Sequence, residues 1–135
     1  MTNIDTVENN LIIYGQLTVT GGILATNTAP VWVYPVLSAG WSNYGGTQEQ
    51  FAYCKDSFGW IHFKGSIKGG TMKTTFMTMP SGCRAIGALH FMCVTDSAGA
   101  DGWGTAYFGA NGIVQAGMGD NVIFCFDGIT YFANA

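Results

Sequence analysis

From about residue 36 onward, apolar and polar side chains alternate in short runs closed by glycine, and no useful length repeats at the period of a helix. Across Gly59 to Lys68, Ile61, Phe63 and Ile67 share one parity while Trp60, His62, Lys64, Ser66 and Lys68 take the other. Successive side chains of extended backbone point to opposite faces, so this run predicts one strand, ended by Gly69-Gly70. After Pro80-Ser81-Gly82 a second run sets Ile86, Ala88, His90, Met92 and Val94 against Leu89, Phe91 and Cys93. Tyr107-Phe108 begins a third strand, and Asn111-Gly112 predicts a two-residue hairpin turn into Ile113-Val114-Gln115-Ala116. Val122 to Phe126 turns at Asp127-Gly128 into Ile129-Thr130-Tyr131-Phe132. Strands at intervals of about ten residues with such turns predict an all-β fold, an antiparallel β-sandwich or small barrel. Several runs are apolar on both faces, as expected of a sheet held between its own core and a subunit interface.

The first residues follow a different pattern. Leu11-Ile12-Ile13-Tyr14-Gly15 is echoed by Leu17-Thr18-Val19-Thr20-Gly21, with Leu11 matching Leu17, Ile13 matching Val19 and Gly15 matching Gly21. Asp5 to Asn10 fits in degenerate form, with Val7 at the aliphatic position and Asn9 where left-handed geometry is needed. Leu11, Ile13, Leu17 and Val19 then line one face of extended chain, a strip too thin to bury that face alone. Repeated units of this kind stack on neighbours, here other copies of the chain; the alternative is a plain hairpin folded onto the main domain. Thr26 to Pro35 reads as a connection, because Pro30 and Pro35 cannot donate to a sheet, and Trp32 and Tyr34 would pack beneath the next domain as a collar. The expected division is an N-terminal extended β attachment segment, residues 1–34, followed by a head domain, residues 35–135.

Composition narrows the function. The 135 residues are 48% hydrophobic and only 10% charged, with 20 glycines, and five Lys+Arg against eight Asp+Glu give a net charge of −3. A nucleic-acid binder needs a basic footprint, so no nucleic-acid partner is expected. No run reaches the ~20 apolar residues of a membrane helix, so no membrane insertion is expected. Met1 to Asp5 lacks the basic start of a secretory signal, which predicts synthesis in the cytoplasm. So few charges cannot cover a monomer's surface: either that surface is nearly neutral and rich in Gly, Thr, Ser and Asn, or much of it is buried against other copies, and obligate association is the expectation. Cys54, Cys83, Cys93 and Cys125 show no paired spacing and read as free thiols acting as small apolar residues.

Catalytic chemistry is hard to assemble from these residues. Asp5, Glu8, Glu49, Asp56, Asp96, Asp101, Asp120 and Asp127 show no spacing that marks a carboxylate pair, and Asp127 suits the turn before Gly128. His62 and His90 stand one to a strand, and His90 and Cys93, three apart, fall on opposite faces, so no metal or other cofactor is expected. Gly99 to Gly104 lacks the Lys and Ser/Thr of a phosphate loop and reads as turns. The expectation is a protein that is not an enzyme. Two clusters combine rings with amides and hydroxyls: Trp41, Ser42, Asn43, Tyr44 and Gln48, and Trp103, Thr105 and Tyr107. Rings stack on the CH faces of neutral sugars while amides bond to their hydroxyls, so Trp41, Asn43, Tyr44, Trp103 and Tyr107 are candidate ligand contacts. The competing use of the same rings is a small β core or an interface.

One order of motifs adds to this. Gly40-Trp41-Ser42-Asn43-Tyr44, Tyr53-Cys54-Lys55-Asp56-Ser57-Phe58-Gly59, Gly65-Ser66-Ile67-Lys68-Gly69-Gly70, Met79-Pro80-Ser81-Gly82-Cys83-Arg84, the Asn111-Gly112 hairpin and Phe126 to Phe132 follow one another along the chain. In that order they resemble the C-terminal head domains of bacteriophage tail fibres and receptor-binding proteins. The resemblance implies a homotrimer, with a β-structured head after a slender shaft whose core would be Leu11, Ile13, Leu17 and Val19. It further implies a place on the virion, contacts with capsid, tail or baseplate proteins through the N-terminal segment, and attachment to a host-surface glycan. The alternative is a capsid cement or decoration protein with no receptor role, because the same head is reused in such places.

Overall fold

The alternating runs become ten antiparallel strands among the described residues of the computed structural model, which are 29–97 and 100–134, with backbone alone at 100 and 101. Leu11, Ile13, Leu17 and Val19, with most of the predicted attachment segment, lie outside the described residues. The strands are β1 (Ser42–Asn43), β2 (Ala52–Lys55), β3 (Trp60–Lys64), β4 (Ser66–Lys68), β5 (Thr75–Thr78), β6 (Leu89–Ser97), β7 (Ala100–Phe108), β8 (Ile113–Met118), β9 (Ile123–Cys125) and β10 (Thr130–Phe132). A curled seven-stranded sheet runs in the order β1-β4-β9-β6-β7-β8-β5, and a three-stranded sheet, β10-β3-β2, packs against it. The chain is therefore all-β, in the manner of a sandwich or partly closed barrel.

The inward parity of each strand fills the space between the sheets with rings. Phe63 of β3 reaches across to Phe108 of β7, with centroids 5.0 Å apart, and Tyr131 of β10 lies 5.3 Å from the same ring. Phe51, Phe76, Phe108, Phe124 and Phe126 are fully buried, with Ile61, Ile67 and Val114 between them. Burying rings is the largest apolar gain available per residue in a small body, and edge-to-face contacts add to it. Ala106 and Ala116, both wholly buried, leave room for them.

One predicted strand proves to be two. Gly59 to Lys68 breaks at Gly65, so β3 lies in the small sheet and β4 in the large one, and Ser66 is fully buried rather than outward. Gly65 has φ +95°, a region open to glycine, and a Cβ there would stand 2.5 Å from the backbone of Gln50. Three passages between the sheets meet at this point. Ser66 N–H donates to Glu49 O on the β1-to-β2 passage, and Phe126 N–H on the β9-to-β10 passage donates to Gly65 O at 2.9 Å. Asp127 Oδ1 accepts from Gly65 N–H at 2.7 Å. Asp127 thus clamps two crossings, and the turn at Asp127-Gly128 joins strands of different sheets rather than closing a hairpin.

Other boundaries move for related reasons. Tyr107-Phe108 ends β7 instead of opening a strand, because Gly102 and Gly104 belong to β7 and are not turns. Their role is close approach: a Cβ at Gly104 would meet Met118 O at 2.3 Å and the Phe124 ring at 3.0 Å. The β7–β8 connection is four residues, 109–112, closed by Gly109 N–H to Ile113 O at 2.9 Å. Asn111 and Gly112 do turn within it, Gly112 at φ +93°. Trp32 and Tyr34 pack on one charge rather than as a collar, with Lys64 Nζ 4.7 Å from the Trp32 centroid and 5.7 Å from that of Tyr34. Lys64 is also paired with Glu49 at 2.8 Å, whose hydrogen bond holds the ammonium above its usual range.

Candidate functional site

The two aromatic clusters are not brought together, and they differ in what they do. Trp41 is 4% exposed, lodged between Phe76 and Phe124 with its Nε1–H donating to Thr71 O at 3.2 Å. Gly70 lies so close that a Cβ there would sit 2.1 Å from the indole. Trp41 is thus a core residue, not a ligand contact; its burial follows from the cavity that Gly70 opens. Asn43 is half-buried and its Oδ1 accepts from Phe51 N–H at 2.9 Å, so the amide oxygen holds the β1-to-β2 passage rather than a ligand. Tyr44 is partly exposed, with Lys68 Nζ 5.0 Å from its ring centre.

Trp103 and Tyr107 point outward from β7, on the face that the large sheet turns away from the core. Alternation puts Gly104, Ala106 and Phe108 inside and Trp103, Thr105 and Tyr107 outside. Register then fixes their neighbours: Val94 stands opposite Trp103, Met92 opposite Thr105 and His90 opposite Tyr107, while Met118 and Gln115 of β8 flank Thr105 and Tyr107 on the other side. The face has two halves. Toward the β6–β7 connection it is apolar, with Met92 78%, Val94 61%, Trp103 61% and Met118 53% exposed. Toward the other end it holds a shallow depression of about 370 Å³, lined by Tyr107, His90, Thr105, Gln115, Lys73 and Met118.

The depression has its own geometry. The His90 and Tyr107 rings lie 5.1 Å apart, tilted by 52°. Gln115 Nε2 donates to Thr75 Oγ1 at 3.1 Å, which fixes the amide and leaves its oxygen as the remaining acceptor. Gly117 keeps the floor low, since a Cβ there would meet Thr105 Oγ1 at 3.0 Å. Sequence reasoning named Tyr107 but missed Lys73 and Gln115, which lie on a loop and a neighbouring strand and reach Tyr107 only through pairing. The one available signal was parity, which already put His90 on the same face as Met92 and Val94.

Chemistry elsewhere is tied up in structure. Asp56 Oδ1 accepts from Phe58 and Trp60 N–H at 2.9 and 3.0 Å, while Oδ2 lies 2.9 Å from His62 Nε2. The His62 hydrogen bond, aided by those two amides, holds the Asp56 carboxyl below the usual carboxylate range. A carboxyl depressed on folding lends stability above its unfolded value of about 3.9, and that share is lost as pH falls through the lower folded value. Asp56→Asn is therefore expected to lower the urea midpoint at neutral pH and to flatten its decline between about pH 5 and about pH 2. Equal acid slopes in the two proteins would show that the pair adds nothing.

The cysteines are free, Cys54 and Cys93 buried and the other two half-buried. Burial pushes the Cys93 thiol up to about 12, so it stays protonated and inert. Among the described residues no group of three or more His, Cys, Asp or Glu side chains gathers as a metal would need. A second exposed aromatic group, Phe58, Trp60 and Phe132, sits on the outer side of the small sheet, with the last two rings edge to face at 5.6 Å. Compared with models of protein families the chain matches none, and no curated protein matches it either.

Proposed function

We propose that the chain is a bacteriophage virion protein, a homotrimeric fibre or spike head that attaches the particle to a host-surface saccharide through the outer face of β6, β7 and β8. The observation that carries the proposal is that face. A protein with 10% charged residues leaves Met92, Val94, Trp103 and Met118 side by side in solvent. They offer on the order of 500 Å² of apolar surface, at the upper end for a free monomer. A stable interface takes about 800 Å² from each partner, so this half with its rim suits a sister copy. The half around Tyr107 suits a sugar: a ring to stack on, an amide oxygen, hydroxyls and a low floor. Weak binding at each head would be offset by several heads engaging one cell. The motif order and the repeat before residue 30 support the place on the virion, where the N-terminal segment would join capsid, tail or baseplate proteins. The protein acts here by binding and not as an enzyme.

Adsorption tests the reading. Full-length protein added to host cells first is expected to lower adsorption of particles that carry it, and Tyr107→Ala protein is expected not to compete. Light scattering on the same sample should return three times the 14.4 kDa of one chain. Protein that leaves adsorption unchanged but restores the heat resistance of stripped particles would put the capsid cement role in its place.

A further inference from the structure

We infer that the saccharide is acidic, and that Lys73 binds its carboxylate at the edge of the Tyr107 depression. This rests on the attachment reading and names the ligand class of the same site. Five Lys and Arg side chains are present in the chain, and four have partners. Lys64 pairs with Glu49, Lys68 lies over Tyr44, Lys55 Nζ donates to Gly82 O at 2.6 Å, and Arg84 Nε donates to Met79 O at 3.0 Å. Lys73 alone has no ion pair, hydrogen bond or ring contact from its ammonium among the described residues, and it lines the depression.

Its backbone is held there at a cost. Lys73 has φ +59°, one of two non-glycine residues in the left-handed region among the described residues. Its N–H donates to Ala116 O at 2.7 Å, which ties the loop to β8 beside Gln115 and Gly117. Glycine or asparagine would suit that conformation better, so a lysine there gains nothing for the fold. Such strain is often kept where a side chain serves a site. A cation free to donate, next to a ring and an amide oxygen, distinguishes a uronate from a neutral hexose. The ammonium bonds the carboxylate, the Tyr107 ring covers a CH face, and Gln115 Oε1 accepts from a hydroxyl.

The test uses the full-length protein and a panel that pairs each neutral oligosaccharide with its uronate-containing counterpart, read by titration calorimetry at low salt. Uronate members are expected to bind about tenfold tighter than their neutral partners, and added salt to erase most of the difference. Lys73→Asn, which the backbone tolerates, should remove the preference and bring the two series to equal affinity; Lys73→Arg should keep it. Tyr107→Ala should weaken both series. Equal binding of the two series, unchanged in Lys73→Asn, would overturn the acidic ligand and leave attachment standing. Failure of every saccharide to bind would overturn this inference and the saccharide part of the attachment reading together.

Discussion

Gly65→Ala is expected to cost about 3 kcal/mol or more of folding stability. The residue sits at φ +95°, and an added methyl would meet Gln50 C and O and Phe51 N, all at 2.5 Å. Backbone cannot yield there without parting the passages that Ser66, Phe126 and Asp127 tie together. Left-handed strain costs about 1 kcal/mol, and forcing backbone apart adds about 2 kcal/mol or more, against a total stability of about 5–15 kcal/mol. Gly45→Ala is the control: its φ is +83° but nothing lies within 4 Å of the new Cβ, so only the strain of about 1 kcal/mol applies. Urea midpoints by circular dichroism separate the two. If both variants lose the same small amount, the crossing point is not the keystone described above.

Phe126→Ala should cost a similar amount, about 3–5 kcal/mol, through a cavity rather than strain. Phe126 is fully buried, 5.0 Å from Phe51, 5.3 Å from Phe124 and 5.6 Å from Phe76, so no neighbour can collapse into the void without breaking its own contacts. Phe132→Ala removes the same atoms from a ring that is 49% exposed and should cost about 1 kcal/mol or less. Thermal and urea unfolding of the two variants give the comparison. A loss at Phe126 no larger than at Phe132 would mean that the ring cluster does not hold the two sheets together.

The candidate site was legible only in part. Trp103 and Tyr107 were singled out as rings beside hydroxyls. That both point outward follows only from β7, half of which read as turns, while Met92, Val94 and His90 share one side of β6 as their spacing requires. Trp41 was misjudged because a tryptophan among polar residues looks the same whether it faces solvent or a slot cut by a glycine. Only Gly70, packed against the indole from twenty-nine positions away, settles that it is inside. Asn43 likewise gives up its amide oxygen to a backbone N–H eight residues on, a use no composition reveals.

Taken alone, the amino-acid order determined the class of fold, the parity of β6 and the free state of the cysteines, because a period of two and the spacing of cysteines are local properties of the chain. Tertiary structure decided where strands change sheet, which glycines make room rather than turns, and that Lys73 and Gln115 stand beside Tyr107. Those facts depend on what lies across the sheet from a residue. Pairing brings together positions far apart in the chain, and no local pattern records which ones meet.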